Sequence, residues 1–336
     1  MALDPALAAV RLAVRGSLGI VPGDGGGPWS PTVRTTPVLV ACSGGADSLA
    51  LLAAAIFEVG KLDGATVIGA VVDHGLQEGS AEHTAGVVEQ MAALGADETA
   101  SIRVTVDPGS GGIEAGAREA RYAALSQLAE HFGSEHVLLG HTLDDQAETV
   151  LLGLARGSGG RSLQGMRPAF SHFLRPLLEI TRAQTEAACR AEGIVWWDDP
   201  QNVDPRFLRA AVRHTVMPLL EQELGPGVAK ALARTAEQLR NDMDEIERRA
   251  DEALGRARID GGIDLERIAT EGPAILTRVL RLAAIEAGAI ASELSYGHVR
   301  AIWRADIGKQ VQLPGHVTAY RGDEVVFFRP TAATCW

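Results

Sequence analysis

The chain has 336 residues, 46% apolar and 4% aromatic, with 31 Lys/Arg against 43 Asp/Glu and a net charge of −12. That length suits two domains, while the acidic balance argues against a general nucleic-acid binder and the scarcity of aromatics against base stacking as the main binding mode. Three scattered cysteines, Cys42, Cys189 and Cys335, form no CxxC pair, which speaks against disulfides or zinc and for a reducing cytoplasm.

The charge is uneven. Residues 1–150 hold 19 Asp/Glu and 7 Lys/Arg, whereas residues 151–336 hold 24 of each. No apolar stretch reaches about 18 residues, so no membrane span is expected.

A helix is expected over 3–15, then a Gly/Pro-rich loop over 21–31. The apolar run 37–42 reads as a buried strand. It leads through Ser43-Gly44-Gly45-Ala46-Asp47-Ser48 into a helix over 47–58. A glycine turn between strand and helix sets backbone N–H groups and two hydroxyls at a helix N-terminus, where phosphate is favoured. The loop lacks the Lys-Ser/Thr pair of a Walker A motif. It resembles the SGGxDS pyrophosphate loop of N-type ATP pyrophosphatases, with Asp47 placed to hold Mg²⁺ or to orient the turn.

Further strands are expected near 66–73, 101–106 and 136–140, alternating with helices near 80–94, 113–132 and 143–156. This alternation predicts a parallel sheet covered on both faces, with ligands beyond the carboxyl ends of its strands. Asp73 and His74 end the second strand, where they can hold adenosine or serve only the turn. Gly140 and His141 end another strand and join the ATP-binding candidates. Asp144, Asp145 and Glu148 then fall in the first turn and a half of a helix. Three carboxylates facing a triphosphate site suit Mg²⁺, which needs one or two carboxylates besides phosphates. Asp47 and Asp144 are its candidate ligands.

Glu114, Arg118 and Arg121 share one helix face by their spacing. The basic glycine turn from Arg156 to Arg161 can hold a phosphate of ATP or of a nucleic acid, or simply end a helix. A short strand near 173–177 and a helix over 181–192 complete this part. Trp196 and Trp197 precede Arg206, Arg209 and Arg213, whose spacing lines one helical stripe. They can stack on and pair with an unstacked nucleotide, or the tryptophans can pack a domain seam. Helices are expected over 206–223, with Met217-Pro218 bending its end, and over 228–254, 273–288 and 292–305, with Gly225-Pro226-Gly227 as linker and a terminal β-hairpin over 311–328.

In sequence and order, SGGADS, DHGLQ, IEAGAREARY, LGHTLDDQAETVLLGLARGSG, RPLLEITR and WWDDPQNVDPRFLRAAVRH resemble the tRNA(Ile)-lysidine synthetases across residues 37–220. The resemblance implies an α/β fold. Residues 1–224 would form a Rossmann-like PP-loop ATP pyrophosphatase domain, and residues 225–336 a smaller, mainly helical tRNA-binding domain ending in a hairpin. It implies ATP, Mg²⁺, free L-lysine and a tRNA(Ile) with a CAU anticodon, and leaves a homodimer open. Ser43, Gly44, Gly45, Asp47 and Ser48 would bind ATP phosphates. Asp144 and Asp145 match the acidic pair, and Glu114, Arg118 and Arg121 the substrate-facing helix. Asp145 or Glu114 would accept the lysine ammonium proton.

The chain departs from the family at two places. Asp73 stands where a second histidine is common, and Arg209-Ala-Ala-Val-Arg213 stands where many members read RNRIR. The chain ends after the hairpin, like a short form of the family. Rival readings are a thiolation or amide-forming PP-loop enzyme, and a passive nucleotide-binding module. The first wants cysteine pairs or a glutaminase, and the second has little use for the acidic cluster.

Overall fold

The computed structural model describes residues 3–20, 36–75, 79–106, 112–157, 159–199 and 208–331, with side chains of the fourth segment from residue 115. The chain divides into two compact units, residues 1–237 and 238–336.

Unit 1 opens with α1 (Pro5–Ser17), whose cap, Asp4, accepts the Ala6 N–H at 2.8 Å. There follow β1 (Val38–Ala41), α2 (Ala46–Val59), β2 (Val67–Asp73), α3 (Ser80–Ala93), β3 (Glu98–Arg103), α4 (Gly112–Phe132), β4 (His136–Leu139) and α5 (Leu143–Arg156). The short α6 (Gly160–Leu163), β5 (Ala169–Phe170) and β6 (Phe173–Leu174) lead to α7 (Arg182–Ala191). The sheet order is β3-β2-β1-β4-β6-β5, parallel except for the β5–β6 pair. Val38 sits between Val67 of β2 and His136 of β4, so the strand order reverses beside β1. That reversal opens a crevice at the carboxyl ends of β1 and β4.

Strand alternation sorts side chains to two buried faces. Val38, Val40, Val67 and Val71 pack with Val10, Leu49, Leu52 and Cys189 from α1, α2 and α7. Leu39, Ala70, Val137 and Leu139 point the other way, onto Leu125 and Ala129 of α4. The expected two-sided sheet is therefore present.

The expected helix over 206–223 is interrupted. Its described part consists of α8 (Leu208–Ala211), a π turn (Val212–Val216) and α9 (Met217–Leu224). Pro218 lies in the first turn of α9 and has no N–H for a preceding carbonyl, so the ladder shifts there and the Met217 N–H is donated to Val212 O. The long helix α10 (Val228–Ala257) follows the Gly225-Pro226-Gly227 turn. The boundary between units falls inside α10, beyond that turn.

In unit 2, α10 is followed by β7 (Arg258–Ile259), β8 (Gly262–Asp264), α11 (Pro273–Glu286), α12 (Tyr296–Arg304), β9 (Gln310–Leu313), β10 (Val317–Arg321) and β11 (Val325–Pro330). Ala250, Ala253, Leu254 and Ala257 of α10 form a stripe at helical spacing that packs with Leu276, Val279 and Leu280 of α11 and Val317 and Val326 of the sheet. The expected hairpin is β10–β11, the centre of a five-stranded antiparallel sheet in the order β7-β8-β11-β10-β9. Among the described residues no helix is long and apolar enough to cross a membrane.

Candidate active site

Three helix starts converge on one crevice of about 720 Å³ in unit 1, lined among others by Ala46 and Asp47 of α2, Asp145 of α5 and Arg182 of α7. The positive dipole ends of three helices favour an anion between them, and the uncapped start of α2 adds orphan N–H donors. The start of α2 has no side-chain cap: Gly45 is extended and its predecessor Gly44 has φ +82°. A Cβ at Gly44 would come within 2.8 Å of Val87 Cγ2, and one at Gly140 within 3.1 Å of the Ser48 backbone nitrogen. Only glycine lets β4 end against the loop this closely. Ser48 braces the turn from inside, its Oγ accepting the Ser43 N–H at 3.1 Å and donating to Gly45 O at 2.9 Å. From outside, His83 Nε2 lies 3.1 Å from Ser43 O, and the Trp197 N–H is donated to Gly44 O at 2.9 Å.

The other two helix starts are capped by their own sequence. Asp145 Oδ2 accepts the Thr142 N–H at 2.8 Å, completing a capping box, and Thr181 with Gln184 forms a second at α7. The carboxylates between these starts are bridged by two arginines. Arg182 Nε donates to Asp47 Oδ2 at 3.2 Å and Nη2 to Asp145 Oδ1 at 3.1 Å. Arg213 Nε donates to Glu148 Oε1 at 2.6 Å and its Nη2 to Asp145 Oδ1 at 3.0 Å. Thr185 Oγ1 donates to the remaining Asp47 oxygen.

The electrostatics follow from this wiring. Burial raises the Asp47 and Glu148 pKa values, outweighing Arg182 and Thr185 in the first case and Arg213 in the second. Burial also opposes ionisation of Asp145, but Arg182 and the Thr142 N–H bring its pKa below the ordinary carboxylate value. Burial opposes the Arg182 charge as well, yet Asp145, Asp47 and Glu148 hold its pKa above the usual value.

Residues lining the crevice also carry buried nitrogens without protein partners: Arg121 Nε, His74 Nδ1 and His141 Nδ1. Such atoms are normally satisfied, so their lack of partners beside the cavity fits a polar ligand such as a nucleotide. Burial pushes His141 down to about 3, with Arg121 and Arg175 adding to the shift. A histidine held neutral in the fold but free to charge when unfolded withdraws stability as pH falls below its unfolded value of about 6.5. Between pH 7.5 and pH 5 this withdrawal amounts to about 2 kcal/mol. Urea unfolding of His141→Gln at the two pH values should show that much less acid sensitivity than the unsubstituted chain.

The PP-loop domain family matches residues 29–220. The tRNA(Ile)-lysidine synthase of Salinispora arenicola is 46% identical over 95% of both chains, and that of Streptomyces coelicolor 46% identical over 87% of this chain and 85% of its own. The chain belongs to the tRNA(Ile)-lysidine synthase family. A solved U34-tRNA thiolase, NcsA from Methanococcus maripaludis with its [4Fe-4S] cluster, shares the fold at a TM-score of 0.57 and 17% identity, covering 70% of this chain and 79% of its own.

Against that family, the expected loop residues other than Gly44, together with the pair Gly140–His141, meet around the crevice, as do His74, Arg121 and Asp145. Asp144 joins through the Arg182 backbone N–H, which its Oδ2 accepts at 2.8 Å. Asp73 does not line the crevice. Its carboxylate takes the Gly75 N–H at 2.8 Å and Arg103 Nε at 2.8 Å, and these bonds hold its pKa down against burial. Arg118 is exposed and stands 5.5 Å over the Tyr122 ring, away from the lining. Arg156 and Arg161 are exposed around the Gly157 stop of α5 and do not reach the crevice.

Arg209 and Arg213 line the crevice, where Arg213 is committed to carboxylates instead of standing free for nucleic acid. Arg206 and the Glu114 side chain lie outside the described residues. Trp196 and Trp197 line the crevice, and Trp197 also packs on His83 with ring centroids 3.9 Å apart. Arg182 and Thr185 were not picked out by sequence reasoning. The available signal was the Thr181–Gln184 capping box, which sets a helix start at the same sheet edge.

Proposed function

We propose that this crevice joins free L-lysine to C2 of the wobble cytidine in a CAU-anticodon tRNA(Ile), at the expense of ATP. The observation that carries this reading is the meeting of the uncapped phosphate loop with the acidic start of α5 across one cavity. The cytidine O2 attacks the α-phosphorus and pyrophosphate departs. The lysine ε-amine then attacks C2 of the adenylated base, loses a proton and expels AMP. The loop N–H groups would bind the polyphosphate, Arg121 and Arg209 would face the bound substrates, and catalysis would come from positioning and charge stabilisation. No thiol nucleophile is needed, and burial pushes both Cys42 and Cys189 up to about 12.

Mg²⁺ fits the donor set. Asp47 and Asp144 supply two carboxylates at the crevice, which suits a metal shared with phosphates. Asp144 and Asp47 would hold it, and its charge would stabilise the departing pyrophosphate. Asp145 has both oxygens occupied and a lowered pKa, so it makes a poor base for the ammonium proton. Glu114 is the better candidate of the two.

Unit 2 would hold the tRNA. Tyr296, Arg300, Trp303 and Arg304 of α12 are exposed on one helical face, a combination suited to RNA. The test is incubation with ATP, labelled lysine and the minor isoleucine tRNA, followed by mass spectrometry of the tRNA. Lysidine adds one lysine less one water, and AMP release should require both lysine and tRNA. Exchange of oxygen for sulfur, or nucleotide turnover independent of lysine, would replace this reading with another.

A further inference from the structure

Arg182, the first residue of α7, contacts Asp47, Asp144 and Asp145. Its backbone N–H, an orphan donor of the first helical turn, goes to Asp144 Oδ2 at 2.8 Å. Its guanidinium takes Asp47 Oδ2 at 3.2 Å and Asp145 Oδ1 at 3.1 Å, with Nη1 3.9 Å from Glu148 Oε1. Thr185, one turn later, fixes the other Asp47 oxygen. One side chain, 24% exposed, thus ties together carboxylates from α2 and α5.

We propose that Arg182 is a positioning residue, its guanidinium the resident counter-ion that keeps Asp47 and Asp145 in place and the cluster closed to free magnesium until ATP brings the metal. The inference rests on the ATP-ligase reading above. Four carboxylates this close repel one another. Without a built-in cation they would spread apart, take up protons or capture a metal from solution. Mg²⁺ gives up its water reluctantly, so a cluster already paired with Arg182 and Arg213 offers it little. An entering polyphosphate changes the balance, because it offers the guanidinium other oxygens and carries its own metal.

The experiment measures thermal unfolding of the nucleotide-free, full-length chain with and without millimolar MgCl₂. The midpoint of the unsubstituted chain should not respond to magnesium. Arg182→Gln should unfold several degrees lower, and magnesium should restore most of that loss. Its KM for ATP should rise about tenfold with KM for lysine unchanged, a split that separates nucleotide positioning from general damage. Should Arg182→Gln fail to fold, Arg182→Lys serves instead. Lysine keeps one charge but cannot bridge Asp47 and Asp145 together, so a smaller metal-dependent rise is expected.

A variant that is destabilised yet as indifferent to magnesium as the parent would reduce Arg182 to a structural ion pair. A parent chain stabilised by magnesium alone would also overturn the proposal. ATP binding, followed through Trp196 and Trp197 in the crevice wall, needs neither tRNA nor lysine. The proposal can therefore be read even if the substrate assignment fails.

Discussion

Asp144→Asn is expected to lower kcat/KM for ATP about 10³-fold, the scale of losing one charge-stabilising group in a water-poor site, with the fold unchanged. Asparagine keeps the shape of the side chain and an oxygen to accept the Arg182 N–H, now 2.8 Å from Asp144 Oδ2. What it loses is the negative charge that would hold Mg²⁺ against the phosphates. Asp144 is the cleaner choice over Asp47, whose two oxygens are both engaged by Arg182 and Thr185 and whose loss would disturb α7 as well. Pyrophosphate release with saturating tRNA and lysine measures the effect, and circular dichroism checks the fold. Activity within tenfold of the parent would remove Asp144 from the metal site.

The parallel sheet was legible because its central strands are buried on both faces and read as apolar runs, each closed by a glycine turn or a capping residue. The edge was less so. β3 pairs through Glu98–Arg103, three residues before the expected start at 101, because its exposed positions carry Glu98, Ser101 and Arg103 and leave little apolar pattern to follow. β7 and β8 are two and three residues long; β7 pairs only with β8, whose other partner is β11, far along the chain. Pattern reasoning also read one helix with a bend at Met217-Pro218, whereas the backbone makes a π turn just before it, at Val212–Val216.

The site divides along the same line. The phosphate loop and the acidic helix start are local signals, a few residues each, fixed by the strand before them. Arg182 has no such signal, since its partners lie 135 and 37 residues away. Asp73 shows the converse: it stands at a strand end as expected, but Arg103 on the neighbouring strand and the Gly75 N–H engage its carboxylate, as in the turn reading. Position along a strand locates a side chain, while its partner decides what that side chain can do.

Arg213 is where this difference has the largest effect on stability. Glu148 is 1% exposed, and Arg213 holds it by two bonds, Nε to Oε1 at 2.6 Å and Nη2 to Oε2 at 3.0 Å. Arg213→Ala leaves that carboxylate buried with Arg182 Nη1 at 3.9 Å as its remaining cation, and should cost about 3 kcal/mol at neutral pH. Burial already raises the Glu148 pKa with Arg213 in place, and its removal raises it further. The penalty falls on the ionised form, so it should shrink as pH drops and Glu148 takes up a proton. Adding Glu148→Gln to Arg213→Ala should recover much of the loss, because no unpaired charge is then left inside. An arginine serving only tRNA would behave differently: unfolding would be unchanged in Arg213→Ala, tRNA affinity would fall with a smaller salt dependence, and Glu148→Gln would recover nothing.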